Sequence, residues 1–180
     1  MEHGTDRQKL VEEKIRRAET EALTSLALIR TVVKDLLLHG KGYRDEEIEV
    51  DKGFGITVDN REQSVSVDYI LKLGGRRFMV IKCSPGAVES RERHLVSFAR
   101  VVDAYQIPYA MVTDGVHARM LDAVKGDVVA EGLDAIPGRQ KAVDLMNTTG
   151  FIPYPEERKE REKRILLAFE SIRCTEESCE

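Results

Sequence analysis

Val67-Asp68-Tyr69-Ile70-Leu71-Lys72-Leu73-Gly74-Gly75-Arg76-Arg77-Phe78-Met79-Val80-Ile81-Lys82-Cys83-Ser84-Pro85 is the stretch on which the fold turns. Its first half extends a two-residue alternation. Val65, Val67, Tyr69, Leu71 and Leu73 fall on one face, and Ser66, Asp68, Ile70 and Lys72 on the other, the period of a β-strand. Gly74-Gly75 supplies the positive φ that the primed hairpin turns require. Arg77 to Cys83 is apolar on both faces except at Lys82, so it belongs in the middle of a sheet. Pro85-Gly86 stops it. Ala87 to Gln106 reads as a helix burying Leu95, Phe98, Ala99 and Val102, and beyond Pro108 a second apolar strand runs from Tyr109 to Thr113. A strand-helix-strand order is a crossover, which makes its two strands parallel.

The hairpin has two possible registers. If Gly74-Gly75 alone form the loop, Leu73 faces Arg76, Asp68 lies opposite Ile81, and Lys82 points to the other face. A three-residue loop, Gly74 to Arg76, sets Asp68 against Lys82 on one face. Only the second register, or a bulge, lets the pair meet. The three-residue loop is the expectation, because a lone buried lysine needs a partner.

Outward from this core, Ile15, Ala18, Ala22, Leu26, Ile29, Val33 and Leu36 recur at three- and four-residue steps, predicting a long amphipathic helix from about Lys9 to His39 that ends at Gly40 and Gly42. Glu47 to Val50 suggests a short strand, and the segments around Gly53-Phe54-Gly55 and Asp59-Asn60-Arg61 read as turns. Arg119 to Val124 and Val128 to Ala130 form a hairpin about Lys125-Gly126-Asp127, and Gln140 to Asn147 a helix. Phe151-Ile152-Pro153-Tyr154-Pro155 is a stiff linker to a last helix, Glu156 to Arg173, which opens with nine consecutive charges. The expectation is an α/β domain over residues 1–150 with a mixed sheet, followed by a linker and charged helix over 151–180.

The 180 residues are 42% hydrophobic and 33% charged, which suits one domain with a real core. No apolar run reaches the roughly 20 residues a membrane span needs, so no membrane association is expected. The polar start, Met1 to Asp6, lacks the apolar segment of a secretion signal, and Cys83, Cys174 and Cys179 are too scattered for a disulfide framework or a zinc site. A reducing cytoplasm follows. The net charge of −4 argues against a globally basic nucleic-acid binder, but residues 72–93 hold six basic side chains against two acidic ones. Lys72, Arg76, Arg77, Arg91 and Arg93 are the candidate contacts to a nucleic-acid backbone.

With the helix that follows it and the strand closing on Thr113-Asp114-Gly115, the quoted stretch resembles the amino-terminal domain of type I restriction enzyme R subunits, a family of the PD-(D/E)XK nuclease superfamily. Gly42-Tyr43 after a long helix also fits, and the resemblance spans roughly residues 15–135. It implies a restriction-endonuclease-like fold, a mixed β-sheet flanked by helices. In that family an Asp, then Glu-x-Lys at the end of a central strand, hold Mg²⁺ beside a phosphodiester and ready a water for attack. Asp68 matches the first carboxylate. The family Glu falls on Lys82 and the family Lys on Ser84, and a Gln-xxx-Tyr signature on the next helix falls on Ser97 and Val101. An ammonium replacing a carboxylate beside a cation is worth about 4 kcal/mol per unit charge at ~4 Å and an effective dielectric near 20.

The resemblance therefore carries the fold but not the catalysis. Asp68, Lys82 and Ser84 become vestigial catalytic positions, no cofactor is expected, and the function implied is a nucleic-acid or partner-binding module. Its partners would be DNA or restriction-system subunits, with a dimer possible. Two alternatives stand beside it. One is an active Mg²⁺-dependent endonuclease using Asp68 with a relocated carboxylate as metal ligands: Glu49, or Glu19 or Glu21 on the first helix. The other is a structural adaptor using the charged terminal helix. His94 and His117 have no ligand spacing around them, and Cys83 reads as a small buried hydrophobe.

Overall fold

The computed structural model describes residues 3–174; Cys179 and the first two residues of the polar start lie outside them. Helix α1 (His3–Asp35) runs into a π-helical turn, Leu36–Gly40, and the chain leaves it through Gly42 at φ +74°. Only the second half of the apolar stripe is used for packing. Leu26, Ile29, Val33 and Leu37 meet the sheet, whereas Ile15, Ala18 and Ala22 are exposed.

Strand β1 (Ile48–Val50) follows, and then, where the sequence predicts turns, β2 (Gly53–Val58) and β3 (Arg61–Ser66) pair as a separate two-stranded sheet. Asp59 and Asn60 join them with φ of +49° and +62°, the positive values a two-residue hairpin needs. The alternation expected as one strand from Val65 to Leu73 is thereby cut at Val67-Asp68. Val65 and Val67 close over the small sheet's core with Ile56, and β4 (Tyr69–Leu73) begins anew in the large sheet.

The large sheet has the order β1-β4-β5-β6-β7-β8, with β5 (Arg76–Cys83), β6 (Tyr109–Thr113), β7 (Ala118–Asp122) and β8 (Asp127–Glu131). Every pairing is antiparallel except β5 with β6, as the crossover requires. The crossover helix α2 (Glu89–Val101) stops short of the expected Gln106. The Asp103 carboxylate accepts the Ala104 N–H (2.7 Å), and the Ile107 N–H reaches back to the Ala99 carbonyl (2.8 Å), which turns the chain off the helix. Helices α3 (Arg139–Thr148) and α4 (Glu156–Cys174) are the last elements of the described residues. One face of the sheet carries Tyr69, Leu71, Met79, Ile81 and Met111 against α1 and α3; the other carries Ile70, Val80, Ala110 and Val112 against α2, with α4 beyond. No helix among the described residues is long and apolar enough to cross a membrane.

The β4–β5 register corrects the three-residue loop. The turn is Gly74-Gly75 alone, with Leu73 opposite Arg76 and Lys72 opposite Arg77; the ladder then slips, so that Leu71 faces Met79 and Tyr69 faces Ile81. Phe78 is the extra residue of a bulge. It turns to the same face as Met79, where its ring stacks on Tyr43 at 6.2 Å. One step past the last paired residues, Asp68 meets Lys82. The turn itself rests on φ of +55° and +80° at Gly74 and Gly75. Converting both to alanine is expected to cost about 2 kcal/mol, read as a shift in urea midpoint with unchanged slope.

Candidate functional site at the head of the central strands

Asp68 and Lys82 are 3% and 5% exposed, and they are held together by the bulge-shifted register. Lys82 Nζ lies 3.1 Å from Asp68 Oδ2, and the same oxygen accepts the Cys83 backbone N–H at 2.8 Å. The other oxygen, Oδ1, faces Arg30 Nε of α1 at 3.6 Å. Arg30 is also hydrogen-bonded to Asp51, which with the nearby Asp68 charge holds its pKa above the ordinary value despite partial burial. The Tyr69 hydroxyl donates to the Arg30 carbonyl (2.8 Å), fixing this turn of the helix over the strand. Sequence reasoning missed Arg30. Its signal was a lone charge inside the apolar run Leu26 to Val33.

Neighbouring groups are structural in their contacts. Ser84 is buried; its N–H donates to the Thr113 carbonyl (2.9 Å) and its hydroxyl accepts the Gly86 N–H (3.4 Å). Burial, then the Asp68 charge, push the Cys83 thiol up to about 12, so it stays protonated. Thr113-Asp114-Gly115 makes a tight turn in which Asp114 accepts the N–H groups of Val116 and His117. Burial works against the Asp114 charge, but bonds from the His117 ring and these amides hold its pKa below the usual range.

The donor set does not fit Mg²⁺. Asp68 presents one oxygen to an ammonium and an amide and the other to a guanidinium, and each cation would repel a metal in its place. Glu49, the second expected ligand, is gripped by Arg77 through Nε–Oε2 (2.6 Å) and Nη2–Oε1 (3.1 Å), with Lys72 at 3.8 Å. The Arg77 bond, ahead of the opposing burial, keeps Glu49 below the ordinary carboxylate range. Glu19 and Glu21 are exposed on α1, Glu21 paired with Arg17. Among the described residues no three His, Cys, Asp or Glu side chains gather as a metal site.

The five basic residues do not form one patch. Arg77 is fixed between Glu49 and Asp103 (2.9 Å) and stacks over Phe54. Arg76 lies over the Phe151 ring at 4.9 Å. Arg93 binds Glu162 of α4 through two nitrogens (2.7 and 2.8 Å). Arg91 has no ion pair among the described residues. Glu162 is the other site residue the sequence concealed: 3% exposed, it also binds Ser97 (2.9 Å), Tyr154 (3.0 Å) and Arg100 (3.3 Å). Nothing marked it within its run of nine charges.

The family model for the type I restriction enzyme R protein N terminus matches residues 28–137, from the packed half of α1 to the end of the sheet and just beyond. No curated protein and no solved structure matches the chain.

Proposed function

The chain belongs to the family of type I restriction enzyme R protein N termini, and from that membership we propose a domain of the PD-(D/E)XK kind that no longer cleaves and serves a restriction system by binding, with DNA or a companion subunit as its partner. The observation that carries this reading is the Lys82 ammonium, 3.1 Å from Asp68 Oδ2, where the family pattern has a second carboxylate instead. Arg30 adds a second cation on the other oxygen. In this environment Asp68 is neutralised by protein groups, and a divalent ion gains no uncommitted carboxylate there. The relocated-carboxylate reading needs Glu49 to leave the Arg77 fork, which would give up both of its bonds to the guanidinium and leave Arg77 with Asp103 alone as its acid.

The test is incubation of supercoiled plasmid with excess purified protein and Mg²⁺ or Mn²⁺. The expected result is no nicked or linear product, for the natural chain and for Asp68→Ala alike. Cleavage that disappears in Asp68→Ala would overturn the reading.

A further inference from the structure

A second site lies where α2, α4 and the β7–β8 turn meet. There a cavity of about 430 Å³ has Val96 and Leu121 in its floor and Arg93, Arg100, Lys125 and Arg161 against Glu92 and Glu162 around its walls. The two acids are already matched. Glu92 Oε1 lies 2.6 Å from Arg119 Nε, and Glu162 receives both Arg93 and Arg100. Two guanidiniums thus converge on a single carboxylate, leaving a positive charge uncompensated within the cleft. Burial alone would raise the Glu162 pKa, yet the bonds from Arg93, Ser97 and Tyr154 bring it down to about 2, so it stays ionised against the two guanidiniums. Arg100 is fastened by the carbonyls of Ala123 (2.8 Å) and Val124 (3.1 Å), which fixes the turn carrying Lys125 to the cleft wall.

At the mouth, Arg161 is exposed and has no ion pair among the described residues, and Lys125 is exposed with only a loose contact to Asp122 at 3.6 Å. We propose that this cleft binds a phosphoryl anion, with Arg161 and Lys125 as the direct contacts and the Arg93–Arg100 pair as the fixed positive background. The chemistry suits either a nucleic-acid phosphodiester or a free phosphorylated small molecule. The proposal deepens the binding half of the reading above, and it stands whether or not the plasmid assay detects cleavage.

The test uses the full chain and three proteins: the natural sequence, Lys125→Glu with Arg161→Glu, and a control reversal of equal charge on α1, Lys14→Glu with Arg16→Glu. Unchanged circular dichroism and thermal midpoint establish that each is folded. Binding of a fluorescent 20-base-pair duplex is followed by anisotropy across salt concentrations, and inorganic phosphate and a 5′-mononucleotide are titrated by amide chemical shift. A duplex source is shown by binding that the cleft reversal weakens 10-fold or more, with the salt slope smaller by about 2, while the control does not. A small-ligand source is shown by shifts at Gly126 and Arg161 with phosphate or the mononucleotide, lost in the cleft reversal, without duplex binding. No binding of any probe, or equal weakening by the control reversal, would overturn the proposal.

Discussion

Asp68→Ala is expected to destabilise the domain by about 4 kcal/mol, and Lys82→Met by only about 2, although the two side chains form one ion pair. The asymmetry follows from their other partners. Among the described residues Lys82 has Asp68 alone, so removing the carboxylate leaves an ammonium at 7% side-chain exposure uncompensated and the Cys83 N–H without its acceptor. Loss of one member of a buried pair costs roughly 3–5 kcal/mol in general. Asp68, by contrast, keeps the Cys83 N–H and the Arg30 guanidinium when Lys82 goes. The double variant Asp68→Asn with Lys82→Met removes both charges and is expected to lie within about 1 kcal/mol of the natural chain. Urea unfolding of all four proteins checks this. Equal costs for the two single variants would show that the Cys83 and Arg30 contacts of Asp68 do not set the asymmetry.

Acid should unfold the protein partly through Glu162. A carboxylate held at about 2 in the folded chain, against an ordinary 4.5, binds protons more readily when unfolded. Its stabilising contribution is therefore complete above about pH 4.5 and is lost as pH falls through about 2. The shift corresponds to about 3 kcal/mol. Glu162→Gln is expected to lose about that much at pH 7, because Arg93 and Arg100 are left facing each other without a counter-charge, and to show a flatter decline between pH 5 and pH 2 than the natural chain. Parallel urea titrations across that range supply the comparison. Parallel acid limbs for the two proteins would rule the assignment out.

The parts of the fold that could be read from the chain are those where burial imposes a period. The continuous apolar run before Lys82, the break at Pro108 and the stripe of α2 gave the parallel β5–β6 joint, which the structure contains. The β2–β3 hairpin escaped because it buries one side only: Arg61 to Ser64 are all exposed, and glycines at positions 53 and 55 mimic a loop. The bulge escaped because nothing in the order Phe78-Met79 shows that both rest on one face. The need of Lys82 for an acid was legible from its apolar neighbours; the means, a two-residue turn followed by a slipped ladder, was not.

Charge was the least legible property. Lys72 to Arg93 looks like a positive zone in one dimension, yet Glu49, Asp103 and Glu162, from three other segments, claim Lys72, Arg77 and Arg93. Arg30 reaches Asp68 from a helix 38 positions earlier, a separation that local spacing cannot reveal.

The lone parallel joint also has a kinetic meaning. The hairpins β4–β5 and β6–β7 are closed by short turns and can form locally, but the six strands become one sheet only when β5 finds β6 across the whole length of α2. That search must overcome the entropy of a long loop before any backbone pairing rewards it. Docking of Leu95 and Phe98 onto Val80 and Ala110 is thus the step expected to set the pace of assembly, and until it is taken each half of the sheet would present a bare edge to other chains.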